Sequence, residues 1–118
     1  MTRRKMPDRR ASWTQRVVIG GITIYATFGE YEDGSLGEVF LDAAKQETFL
    51  RGILGALARM VSLGLQHGLT PAEIVGALRG LNFPPNGPVT GSPCVVEASS
   101  LVDWLAREIE LVYCKEIP

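Results

Sequence analysis

Arg51, Arg59, Arg79 and Arg107 lie far apart along the chain in segments of helical character, and Tyr31, Phe83, Asn86 and Trp104 supply aromatic planes and an amide. Guanidinium forks grip planar anions, and an aromatic ring or an amide can take a base by its face or edge. Gathered by folding, such a set suits a nucleotide or cyclic nucleotide. The candidate ligand-binding residues are Arg51, Arg59, Arg79, Phe83, Asn86 and Arg107. The competing assignment makes Phe83 and Trp104 core and the arginines solvated charges.

Catalytic groups are scarce. His67 is the single imidazole, at the end of an apolar segment, where a capping or packed role outweighs a general base. No serine sits in a nucleophile elbow, no cysteine adjoins a histidine, and no phosphate-binding glycine loop is present. Glu30, Glu32, Asp33 and Glu38 form an acidic cluster without the alternating ligand spacing of a calcium loop, so it reads as a solvated turn. The expectation is no catalytic residue, no metal and no cofactor.

The elements that position these residues are readable. Trp13–Ile19 and Ile22–Phe28 are rich in β-branched and aromatic residues, joined by Gly20-Gly21, a two-residue hairpin connection. Ile22, Ile24 and Ala26 alternate with Thr23, Tyr25 and Thr27, giving one covered and one wetter face. Asp33-Gly34 reverses the chain, and Leu36–Leu41 returns as a third strand. A helix follows from about Gln46 to His67, with Leu50, Ile53, Leu54, Leu57, Val61, Leu63 and Leu65 at helical spacing. Gly52, Gly55 and Gly64 make it slim, which suggests close approach to the sheet or to another subunit.

Thr70-Pro71-Ala72-Glu73 opens a second helix that stops near Gly80. Leu81–Pro93, with four prolines, reads as loop. Ser99-Ser100 with Asp103 starts the last helix, whose expected buried stripe is Leu101, Val102, Leu105, Ile109 and Val112, with Arg107, Glu108 and Glu110 outward. Strands first and helices after define an α+β fold: an N-terminal three-stranded antiparallel sheet packed on a long glycine-bearing helix, then two further helices.

At 118 residues the chain suffices for one core. Residues 1–12 read as a flexible basic arm, 13–114 as one domain and 115–118 as a tail. Six of the twelve Lys and Arg residues fall in the first sixteen positions, yet net charge is −1, which argues against a nucleic-acid surface. No run reaches the ~20 apolar residues of a membrane span. Cys94 and Cys114 are too few for a disulfide scaffold, so a cytoplasmic, reduced protein is expected.

Thr14-Gln15, Ile19-Gly20-Gly21, Gly29-Glu30-Tyr31-Glu32-Asp33-Gly34, Leu36-Gly37-Glu38-Val39-Phe40 and Val61-Ser62-Leu63-Gly64-Leu65-Gln66-His67-Gly68 together resemble the TSCPD domain found near the C-terminus of adenosylcobalamin-dependent, class II ribonucleotide reductases. Phe83-Pro84, Gly87-Pro88-Val89 and Ser100-Leu101-Val102-Asp103 with Arg107-Glu108 continue the likeness, which runs from about Arg9 to Tyr113. The tetrad that names the family, the reductase's catalytic barrel and its cysteine-rich tail have no counterpart here. The resemblance therefore implies a non-catalytic accessory module that joins a reductase catalytic subunit, binds a nucleotide, or both. A different function class also fits the size and layout: a phage-type homo-oligomeric anti-defence sponge that sequesters nucleotide immune signals, its pockets formed between subunits.

Overall fold

The computed structural model describes residues 2–45 and 48–114, so the expected helix start at Gln46 and the tail 115–118 lie outside the described residues. The element order is β1 (Ser12–Ile19), β2 (Ile22–Glu30), β3 (Leu36–Ala43), α1 (Thr48–Gln66), α2 (Pro71–Leu78), β4 (Gly87–Thr90), β5 (Glu97–Ala98) and α3 (Leu101–Tyr113). This is the expected α+β arrangement, with the sheet extended to five antiparallel strands in the order β3-β2-β1-β4-β5.

The β1–β2 hairpin turns at Gly20 and Gly21, both at positive φ, as a two-residue connection requires. Its register sets Val17 against Ile24 and Trp13 against Phe28, and β3 continues the row with Val39 against Phe28 and Leu41 against Ala26. Directly opposed residues share a face. These residues and Ile19 therefore form one apolar surface, and Trp13 stacks on Phe28 with ring centroids 4.4 Å apart. Leu54, Ala58, Val61 and Leu65 of α1 and Leu101, Trp104, Leu105 and Ile109 of α3 complete the core against it.

Helix α1 also closes the outer edge of β3. In an antiparallel pair alternate residues turn their amides away from the neighbour. Val39 donates its N–H to Ser62 Oγ at 2.8 Å and its carbonyl accepts from the same hydroxyl at 3.1 Å, while Gln66 Nε2 donates to the Gly37 carbonyl at 3.0 Å. Two strand residues advance about 6.6 Å and four helical residues about 6 Å, so side chains one helical turn apart keep step with alternate strand residues. An edge that would otherwise invite another strand is thereby covered by helix side chains.

Several sequence expectations are corrected. Leu81–Pro93 is not all loop: Val89 pairs with Ile19 and Thr90 with Val18, and β5 then pairs with β4. In α3 Val112 is exposed and Glu108 is buried, the reverse of the amphipathic assignment, because Glu108 accepts from Trp104 Nε1 at 3.2 Å and from the Ser92 hydroxyl. In α1 Ile53 and Leu63 point outward rather than inward. By length and apolarity α1 would also serve as a membrane span, although Ser62 and Gln66 fasten it to β3. The segment read as a free arm packs back on the domain: Arg4 donates its N–H to the Gln66 carbonyl, its guanidinium lies 3.7 Å over the Tyr31 ring, and Arg3 reaches Gln66 Oε1.

The helix starts form as the sequence indicates. Thr70 and Glu73 make a reciprocal capping box at α2, and Ser100 accepts from the Asp103 N–H at α3.

Candidate functional site

Two concave regions involve the sequence-chosen residues. The first is an open cleft of about 530 Å³ between the Asn82–Gly87 loop, β5 and the start of α3, lined by Asn82, Asn86, Val96, Glu97, Ser99, Asp103 and Arg107. The reversal after α2 brings the loop back over α3. Phe83 donates its N–H to the Ser99 carbonyl at 3.1 Å, and Ser99 Oγ donates to the Leu81 carbonyl at 3.0 Å.

Asp103 anchors the cleft floor. Its carboxylate accepts from the Gly80 N–H at 2.7 Å and the Ser99 N–H at 3.2 Å, with Arg107 at 3.6 Å. Burial alone would push this carboxyl upward, but the two backbone donors and the guanidinium outweigh it and hold it below the ordinary aspartate value. Arg107 also donates to the Glu97 carbonyl at 2.5 Å, which ties β5 to α3. Asn86 is exposed, with its amide 3.5 Å from Asn82 Oδ1. The cleft thus offers amide donors and acceptors and one guanidinium edge.

The second region is a groove of about 570 Å³ between β3 and α1, with Phe40 on one wall and Gly55, Arg59 and Leu63 on the other. Its polar end is neutralised. Arg10 grips Glu38 with Nε to Oε1 at 2.5 Å and Nη2 to Oε2 at 3.2 Å. Phe40 lies on the sheet face away from the core, since its partner Thr27 does.

The structure brings Asn86 and Arg107 together in the cleft and leaves the remaining sequence candidates apart. Arg59 lines the groove. Arg51 is engaged by Asp42 through bonds of 2.8 and 3.1 Å, which lower the Asp42 carboxyl, and Arg79 pairs with Glu110. The Phe83 ring is exposed beside the cleft rather than lining it. Trp104, offered as a stacking surface, is fully buried, and Tyr31 is buried with its hydroxyl donating to the Arg4 carbonyl at 2.6 Å. Sequence reasoning missed Asn82, Ser99 and Asp103 as cleft residues. The Ser100-x-x-Asp103 spacing marked a helix start and gave no sign that the same carboxylate would gather a second loop.

Outside the cleft, Tyr113 and Glu30 are engaged by structural partners. Tyr113 accepts from Trp13 Nε1 at 2.9 Å and donates to Glu30 at 2.5 Å, and burial together with Glu30 raises its hydroxyl well above the ordinary range. Cys114 is raised by burial and then by Glu110, so its thiolate is disfavoured, and Cys94 is exposed. Among the described residues no three His, Cys, Asp or Glu side chains converge as metal ligands.

A five-stranded antiparallel sheet with helices on its apolar face defines a small α+β domain. The chain belongs to the TSCPD domain family, whose pattern it matches over residues 1–113. It is 44% identical over 111 residues to a vitamin B12-dependent ribonucleotide reductase of Bradyrhizobium diazoefficiens, covering 94% of this chain and 9% of that protein. Similar proteins of the same name occur in Agrobacterium fabrum, at 37% identity with 94% and 9% coverage, and in Streptantibioticus cattleyicolor, at 37% with 92% and 18%. The chain thus spans from about a tenth to a fifth of the length of these relatives. No solved structure gave a significant match.

Proposed function

We propose that this chain is a non-catalytic accessory module of a class II ribonucleotide reductase, acting by binding the catalytic subunit, with the Asn82–Asn86–Arg107 cleft as its contact with a nucleotide. The observation that carries the reading is the match itself: almost the whole chain corresponds to about a tenth of the length of a vitamin B12-dependent ribonucleotide reductase. Asp103, Glu38 and the Tyr113–Glu30 pair are each engaged by structural partners, which supports a role in holding rather than transforming. No observation favours the sequestering alternative, and its arginines stand at separate places on the domain.

The test uses a class II reductase deleted of its own copy of this domain. Adding the chain should restore turnover and the two should co-purify. The absence of both effects would overturn the accessory reading. Separately, ribonucleoside di- and triphosphates should raise the chain's melting temperature by several degrees, since ligand binding to the folded state stabilises it. Asn86→Ala should remove that rise, because its amide faces the cleft and carries no structural tie beyond Asn82.

A further inference from the structure

Helix α1 carries large apolar side chains on its outward as well as its inward side, and apolar surface of that kind is normally enclosed. Its inner stripe is covered by the sheet, but Phe49 is 73% exposed, Ile53 52%, Met60 65% and Leu63 40%. The outward face holds one charge, Arg59. A Cβ added at Gly52 or Gly55 would meet nothing within 4 Å, so neither glycine is needed for packing within the protomer. By contrast, Gly64 is explained by its close approach to Leu69.

We infer that this face is the interface of a homodimer in which two α1 helices pack antiparallel about a two-fold axis at Ala56. The face is complementary to itself under that operation. With about 100° of turn and 1.5 Å of rise per residue, a two-fold at Ala56 sets Phe49 of one copy over Leu63 of the other and Met60 over Ile53. Ala56 meets its own mate, where two small side chains permit close approach. Arg59 falls over Gly52 and Gly55 of the partner, so its stem occupies the space those glycines leave open.

Each large side chain thus finds an apolar surface or a gap, as an isologous interface demands. The two Arg59 side chains originate about 9 Å apart along the helix axes, near a Debye length, so like-charge repulsion is modest. The face is about 28 Å long and widens at Phe40 across the groove, which puts about 600 Å² per partner, the low end of specific interfaces, within reach. The inference does not rest on the reductase reading, and the chain alone tests it.

Light scattering of the purified chain at tens of micromolar should give twice the 12.8 kDa monomer mass. Ile53→Asp and Leu63→Asp should each shift it to monomer with the far-UV circular dichroism unchanged. Under mild oxidation Ala56→Cys should form a covalent dimer, because the mates meet on the axis. Met60→Cys should not, its mates being about 12 Å apart along the helices. The unsubstituted chain controls for Cys94 and Cys114. A monomer at that concentration, a dimer indifferent to Ile53→Asp, or equal cross-linking at positions 56 and 60 would overturn the inference. So would a monomer that instead binds lipid vesicles through this face.

Discussion

Helices α1 and α3 both carry apolar residues at helical spacing, and the domain treats them in opposite ways. Eight of the thirteen residues of α3 are buried, including Asp103 and Glu108, whose carboxylates accept from two backbone N–H groups in one case and from Trp104 Nε1 in the other. Five of the nineteen residues of α1 are buried, although it is the longer helix and carries only two charges, Arg51 and Arg59. Burial therefore follows position rather than apolarity. The helix in the centre of the fold tolerates carboxylates because neighbours satisfy them, whereas the peripheral helix leaves aromatic and aliphatic side chains uncovered. Polar groups buried with partners mark a finished interior. Large apolar groups left outside mark an unfinished one.

The largest effect that would break this contrast is a truncation in each helix. Trp104→Ala removes a fully buried indole and orphans part of Glu108. It should cost about 3–5 kcal/mol in denaturant unfolding. Met60→Ala, measured at dilutions where the chain is monomeric, should change stability by no more than about 0.5 kcal/mol. Comparable losses at the two positions would mean that something within the protomer covers α1.

A smaller effect separates polar burial from apolar burial. Asp103 has its carboxyl held below the ordinary value in the folded state, so its contribution is fully present above the unfolded value near 4 and disappears as pH falls through the lowered folded value. Wild-type stability should therefore fall on acidification below about pH 4, and Asp103→Asn should flatten that part of the profile. At neutral pH Asp103→Ala should cost about 2–3 kcal/mol, because the Gly80 and Ser99 N–H groups lose their acceptor. An unchanged acid limb in Asp103→Asn would show that the α3 carboxylate is not what ties the cleft together.

What the sequence disclosed depended on whether the signal was local. The Gly20-Gly21 turn, the Thr70 capping box and the alternation in β2 are set by neighbours in the chain, and each stands where it was expected. Strands β4 and β5 are four and two residues long and contain Pro88, so no periodicity announced them. They exist because Ile19 and Val18 offer pairing partners seventy residues away. Glu108 looked like a solvated face residue until Ser92 and Trp104 supplied partners. The N-terminal cations looked free because Gln66, Glu38 and the Tyr31 ring lie far along the chain. The candidate residues were chosen by type alone, and only the return of the loop onto α3 brings Asn86 and Arg107 to one cleft, while Arg51 and Arg79 pair with Asp42 and Glu110 elsewhere.

The subtlest effect concerns the glycines of α1, which divide by what surrounds them. Alanine in place of glycine inside a helix gains roughly 1 kcal/mol where space is open. Gly52→Ala should give about that gain in the diluted monomer, because a Cβ there meets nothing within 4 Å. Gly64→Ala should gain much less, because its Cβ would come within 2.6 Å of Leu69 Cδ1 and that side chain must turn aside. At high concentration the order should change. A methyl group at Gly52 would intrude on the stem of Arg59 from the second copy and weaken the dimer, while Gly64 lies outside the paired stripe and should leave it alone. Denaturant midpoints measured across a hundredfold range of protein concentration would reveal both signs. A Gly52→Ala chain more stable at every concentration would point to a face with no partner at all.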